Sequence, residues 1–241
     1  MKSQKIALID YGAGNLGSVK NAFAYLGVNI VLESSPHKLG EYDKVVLPGV
    51  GAFGDVVGLV RKSGFDSAIA EFAKSGKYLL GICLGMQLLF EKSYEFGEHR
   101  GLGLLQGEIV KFGEHLRSPH IGWNQNFFAT NLSQSSLEGL EILQDCLEKS
   151  NHPLLANIPN GAYLYFVHSY YASNVDFKQV LAICKYSEAS KKCHIDFGGK
   201  HSDNAVWFPS IVGKDNVLGM QPHPEKSHAI GLQILQNFLA L

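Results

Sequence analysis

Short apolar runs alternating with helical stretches constrain the fold of this chain more than any other feature. Lys5–Asp10 reads as a buried strand, followed by strands at Asn29–Leu32, Lys44–Leu47 and Tyr78–Ile82. Helical patterns cover Leu16–Leu26, Asp55–Ser75 and Leu84–Lys92. Strands that are apolar throughout are buried on both faces, and intervening helices supply the crossovers that parallel strands require. The prediction is an α/β fold with a central, mostly parallel mixed sheet flanked by helices. Beyond Gly107 the pattern changes to short, strand-like segments at 107–128, Ala162–Tyr171 and Val180–Tyr186, and Ala229–Leu241 reads as a terminal helix.

With 241 residues and 46% hydrophobic content, the chain can bury a large core, and we read 1–241 as a single domain. Two stretches are expected to be surface insertions: Asn131–His152, with a helical patch at Leu137–Leu147, and Ser187–Asn204. Lys and Arg number 21 against 22 Asp and Glu, so the basic excess of a nucleic-acid binder is missing. No apolar run is long enough for a membrane span, and Ile6–Ile9 is too short for a signal-peptide core. The expectation is a soluble cytoplasmic protein that binds neither nucleic acid nor membrane. Cys83, Cys146, Cys184 and Cys193 form no C-x-x-C pair and are expected to be reduced.

Several segments could carry chemistry. Gly12-Ala13-Gly14-Asn15-Leu16-Gly17 matches G-x-G-x-x-G between a strand and a helix, with Glu33 near the end of the next strand. That context suits dinucleotide binding, and equally a plain tight turn. Gly81-Ile82-Cys83-Leu84-Gly85 has the form of a nucleophile elbow with Cys in place of Ser. A sharp strand-to-helix turn would lift the sulfur above the sheet at a helix N-terminus, which favours thiolate. The same segment also suits a small cysteine packed between strand and helix.

His223-Pro224-Glu225 supplies a base and, two residues on in an extended segment, a carboxylate to orient it. Pro48-Gly49-Val50-Gly51 could aim backbone amides at a developing oxyanion, or form an ordinary turn. Cys184, Cys193, His194 and His201 fit no standard zinc spacing, so no metal is predicted. His168 reads as a satisfied core or cleft histidine.

Taken together, Pro48-Gly49-Val50-Gly51-Ala52-Phe53, Gly81-Ile82-Cys83-Leu84-Gly85-Met86-Gln87 and His223-Pro224-Glu225-Lys226-Ser227 resemble the class I (triad) glutamine amidotransferases, which have a flavodoxin-like fold. Asp10-Tyr11-Gly12, His120-Ile121-Gly122-Trp123-Asn124 and Phe166-Val167-His168-Ser169-Tyr170-Tyr171 narrow the resemblance to the glutaminase subunits of imidazole glycerol phosphate synthases. The match runs from Lys5 to the terminal helix.

The resemblance implies hydrolysis of L-glutamine by Cys83 as nucleophile, His223 as base and acid, and Glu225 as the group orienting His223. It assigns the oxyanion to the Gly49, Val50 and Gly51 segment, and glutamine binding to Gln87, Glu95, Ser169 and Tyr170. It implies no cofactor. It also implies a (β/α)8-barrel cyclase partner that receives the ammonia, with Asn15, Trp123, Asn124 and Lys226 at the interface. In this family the early glycine turn binds no dinucleotide.

The sequence departs from the family pattern in two ways. Its two non-matching stretches make it longer than a compact member by roughly 35–40 residues. Pro222 also stands where an aromatic is more usual. These departures leave a second acceptor open: the same ammonia supply serving a sugar amidotransferase in surface-polysaccharide synthesis.

Overall fold

The computed structural model describes residues 4–129, 151–187 and 205–241. The helical patch expected at 137–147, nearly all of both expected insertions, and Cys146, Cys193, His194 and His201 lie outside the described residues.

The first half builds the expected parallel sheet. Strands β1 (Ile6–Ile9), β2 (Val31–Glu33), β3 (Lys44–Leu47) and β4 (Tyr78–Ile82) are joined by helices α1 (Leu16–Tyr25), α2 (Phe53–Lys62) and α3 (Phe65–Lys74). Helix α4 (Leu84–Leu88) follows β4 directly. After it come β5 (Lys92–Ser93), β6 (His99–Arg100), β7 (Glu108–Lys111), β8 (His120–Phe128), β9 (Ala162–His168), β10 (Tyr170–Ser173), β11 (Val180–Ser187), β12 (Ala205–Lys214), β13 (Val217–Met220) and the terminal helix α5 (His228–Ala240).

Among the described residues nine strands form the main sheet in the order β2-β1-β3-β4-β13-β12-β11-β8-β9, and β10-β7-β5-β6 form a second, smaller sheet. Pairing is parallel from β2 through β13 and antiparallel from β13 through β9. The five parallel strands therefore end on one edge, where open α/β sheets bind ligands.

Period-two alternation sends successive strand residues to opposite faces. Ile6, Leu8, Val46, Leu80 and Ile82 pack with Val19 and Phe23 of α1 and with Ile234, Leu235 and Phe238 of α5. Ala7, Ile9, Val45, Leu47 and Leu79 pack on the other face with Val56, Val57 and Val60 of α2 and with Ile69 and Phe72 of α3.

Four expectations change. The helix expected over Asp55–Ser75 is two helices, because Gly64 takes a left-handed conformation (φ 79°) between them. The helix expected to reach Lys92 ends at Leu88, and the carbonyls of Leu88, Leu89 and Phe90 then accept hydrogen bonds from the amides of 102–105. An unbroken apolar run looks the same in a buried helix and in a buried turn. The segment Ala162–Tyr171 divides at Ser169, with β9 in the main sheet and β10 in the second. Strands β12 and β13, absent from the sequence reading, join the parallel and antiparallel halves.

Candidate active site

The site lies where four loops leave the carboxyl ends of the parallel strands. Glycine lets these loops pack directly on one another. A Cβ at Gly81 would lie 2.7 Å from the Gly85 carbonyl oxygen, and one at Gly49 would lie 2.6 Å from the Gly85 nitrogen. At Gly85 a Cβ would overlap the Leu47 carbonyl. Larger residues at these positions would push α4 off the sheet.

The resulting turn places Cys83 at φ 54° and ψ −112°, a backbone conformation a non-glycine residue adopts at a cost of about 1–3 kcal/mol. Its amide donates to the Met220 carbonyl at 2.7 Å, which locks the turn to β13. The expected elbow is therefore present, with the sulfur at the start of α4.

His223 lies just beyond β13. The reading of an extended His223–Glu225 segment is corrected here. His223 itself is extended, but Pro224–Lys226 forms a single 3-10 turn. Pro224 at its first position has φ fixed for such a turn, and the turn carries Glu225 back beneath the imidazole. His223 Nδ1 then lies 2.8 Å from Glu225 Oε1, with the two side chains 5% and 1% exposed.

The turn is clamped to β9. The His223 amide donates to the Tyr165 carbonyl at 2.8 Å, and Ser227 Oγ donates to the His223 carbonyl at 2.6 Å while accepting from the Tyr165 amide at 2.9 Å. His223 Nε2 is buried with no hydrogen-bond partner. Burial alone would lower the His223 pKa. The Cys83 sulfur and the Glu225 carboxylate outweigh burial and raise it to about 10.

A cavity of about 330 Å³ opens onto these groups. Cys83, His223, Val50, Gly51, Gln87, Glu95, Ser169, Tyr170, Asn15 and Lys226 all line it. Gly49 stands behind the wall, against α4, and Glu225 stands behind His223. Glu95 Oε2 accepts the Phe53 amide at 2.6 Å, and burial holds its pKa above the ordinary carboxylate range.

Gln87 is buried, and its amide nitrogen donates to the Tyr170 carbonyl and to Gln221 Oε1, both at 2.9 Å. Ser169 and Tyr170 reach the cavity because the chain crosses between sheets at that point.

Strand alternation separates the two remaining residues. Trp123 faces outward, 43% exposed, with its ring stacked 4.9 Å from that of His228. Asn124 faces inward, where its amide nitrogen donates to the Lys185 carbonyl at 2.7 Å. Lys226 is exposed, its Nζ 5.8 Å from the Tyr165 ring centre.

The early glycine turn is held against the site by Tyr11, whose hydroxyl donates to the Pro48 carbonyl at 2.9 Å. Glu33 is buried and accepts from the Tyr42 hydroxyl at 2.7 Å and the Ser35 amide at 2.8 Å, so it does not present a carboxylate to a ribose. Cys184 is a buried thiol with its pKa raised by burial, and no metal-binding group occurs among the described residues.

Three buried polar residues were not assigned to the site from sequence: His168, which lines the cavity, and Gln221 and His120, which do not. His168 is satisfied, as expected of a cleft histidine. Its Nδ1 is 2.8 Å from the Tyr170 carbonyl, and its Nε2 is 3.1 Å from His120 Nδ1. A carbonyl only accepts, so His168 carries its proton on Nδ1 and His120 donates through its own Nδ1. Burial pushes His120 down to about 4. Burial and the neighbouring His120 push His168 down to about 3. The sequence signal for Gln221 was a polar residue placed between an apolar strand and Pro222.

Solved structures share the fold. The one described as "Structure of PurLQS from Thermotoga maritima" superposes with a TM-score of 0.67 at 18% identity, covering 99% of this chain and 98% of that one. Another, "Crystal structure of glutamine amidotransferase", gives 0.64 at 16% identity, covering 97% of each chain. Sequence relatives are nearer. "Imidazole glycerol phosphate synthase subunit HisH" of Sulfurimonas denitrificans is 46% identical over 97% of this chain and 96% of its own length. The protein of that name in Wolinella succinogenes is 45% identical over 97% and 98%. The family model described as "Glutamine amidotransferase class-I" matches residues 7–241, and this chain belongs to that family.

Proposed function

We propose that this chain is the glutaminase subunit of an imidazole glycerol phosphate synthase in histidine biosynthesis. The observation that carries the chemistry is the pairing of a strained Cys83 elbow with a buried His223–Glu225 couple on one cavity. His223 takes the Cys83 thiol proton, and the sulfur attacks the side-chain amide carbon of L-glutamine. The carbon–nitrogen bond then breaks as His223 returns the proton to the leaving ammonia. Water cleaves the thioester and releases glutamate. Glu225 holds His223 in the productive tautomer.

The Gly49–Gly51 segment is the proposed oxyanion site, and Glu95, Gln87, Ser169 and Tyr170 the proposed glutamine-binding residues. The names of the nearer relatives, and their coverage of nearly the whole chain, support the pathway. The partner in this reading is a (β/α)8-barrel cyclase. It docks over the cavity against Asn15, Trp123 and Lys226, with Asn124 bracing β8 from within, and takes up the ammonia. The reading treats 1–241 as one cytoplasmic domain that uses no cofactor. Among the described residues no helix is long and apolar enough to cross a membrane.

The test is glutamate release by the chain mixed with the barrel protein, with and without the phosphoribulosyl acceptor. Stimulation by the acceptor, with imidazole glycerol phosphate formed, is expected. Glutaminase activity without that stimulation would move the acceptor to another pathway, sugar amidation first.

A further inference from the structure

Gln221 is fully buried behind Cys83. Its side-chain nitrogen lies 3.7 Å from the Cys83 sulfur. The chemistry of its neighbours fixes the orientation of this amide. The Tyr170 carbonyl can only accept, so Gln87 must turn its NH2 toward it, at 2.9 Å. The same NH2 lies 2.9 Å from the other end of Gln221, which must therefore be the oxygen. The NH2 of Gln221 is left facing the sulfur. Its backbone is pinned as well, because the Gln221 amide donates to the Ser210 carbonyl of β12 at 2.8 Å.

Beside His223, the sulfur thus has two further neighbours, of opposite character. The Val167 carbonyl, 3.9 Å away, can only accept and suits the thiol. The Gln221 N–H can donate and suits the thiolate.

We propose that Gln221 acts on the nucleophile by donating a side-chain N–H to the Cys83 sulfur, stabilising the thiolate and aiming it into the cavity. This rests on the reading of Cys83 as the nucleophile. It adds a fourth residue, as a donor, to the Cys83, His223 and Glu225 set. No bond is made or broken by Gln221. It holds its proton throughout.

The test is alkylation of Cys83 by iodoacetamide in the full chain from pH 4 to 10, which requires neither glutamine nor a partner. Failure here is therefore distinct from failure of the glutaminase assignment. The other titratable groups around the sulfur are Tyr11, His168, His223 with Glu225 behind it, and Glu95 and Lys226 across the cavity. All are common to every variant compared.

Gln221→Met keeps the length and removes the donor. Its rate profile is expected to move to higher pH by about one unit, with the high-pH plateau unchanged, as for loss of a hydrogen bond to a charged group. Gln221→Glu places a carboxylate there and is expected to move the profile further. A purely structural role would lower the plateau of Gln221→Met and leave its midpoint in place. A folded Gln221→Met with the wild-type profile overturns the proposal.

If neither variant folds, the wild-type chain decides. With 15N-labelled glutamine, the Gln221 side-chain resonance is expected to titrate together with Cys83 alkylation. A resonance that does not follow Cys83 overturns the proposal equally.

Discussion

His223 Nδ1 and Glu225 Oε1 are 2.8 Å apart across one 3-10 turn, and the second Glu225 oxygen is buried without a partner. In the proposed mechanism Glu225 holds the imidazole and stabilises its charge. Glu225→Gln keeps the shape and removes the charge. We expect kcat for glutamine hydrolysis with the partner present to fall about a hundredfold or more, with KM nearly unchanged. A kcat within tenfold of wild type would show that His223 needs no carboxylate.

Cys83→Ala is expected to abolish glutamate release. In the proposed reading Cys83 serves only the supply of ammonia, so a cyclase partner should still make product from external ammonium salt. Loss of ammonia-driven turnover as well would assign Cys83 a role in docking.

Gly85 lies directly under the Leu47 carbonyl, so Gly85→Ala forces two backbone segments apart. We expect a loss of at least about 3 kcal/mol in urea unfolding, or no folded protein. Gly58, inside α2 with nothing near its missing Cβ, is the contrast. Gly58→Ala should stabilise by up to about 1 kcal/mol. Equal effects at the two positions would mean that α4 tolerates displacement.

The buried His120–His168 pair makes stability depend on pH. Both pKa values lie below the 6.5 of a free histidine, at about 4 and about 3, because burial penalises the charged ring. The unfolded chain takes up these protons below about pH 6.5 while the folded chain does not. Stability is therefore full above 6.5 and falls as pH drops toward 4, by up to about 1.4 kcal/mol per pH unit for each histidine. Urea unfolding at pH 7.5, 6 and 5 measures the slope. His120→Phe, in its stack with Phe166 and Tyr186, should remove part of it. An unchanged slope would place the titration elsewhere.

Local sequence was enough for four of the five parallel strands and for the candidate reacting groups. Apolar runs such as Lys44–Leu47 and Tyr78–Ile82 coincide with the observed strands, because a strand buried on both faces has few polar residues to confuse its reading. The Gly81–Gly85 elbow was legible because only glycine permits that approach of α4 to the strand ends. Strands β12 and β13 were not legible. They carry Pro209, Gly213 and Gly219, and although they pair with each other as a hairpin, β13 finds its other partner, β4, far away in the chain.

The sequence by itself offered the candidate groups, Cys83 in a glycine-flanked turn and His223 with Glu225 two residues on, because nucleophile, base and carboxylate are properties of residue type. The tertiary structure alone decided how they meet. Glu225 reaches His223 through a turn instead of an extended strand, since Pro224 starts a 3-10 turn clamped to β9. Trp123 and Asn124, adjacent in sequence, face opposite ways because a strand alternates. The donor facing Cys83 is Gln221, because parallel pairing of β13 with β4 ends both strands at one edge, 138 positions apart in the chain. Contacts between such distant residues are set by packing and hydrogen-bond complementarity, which local sequence does not encode.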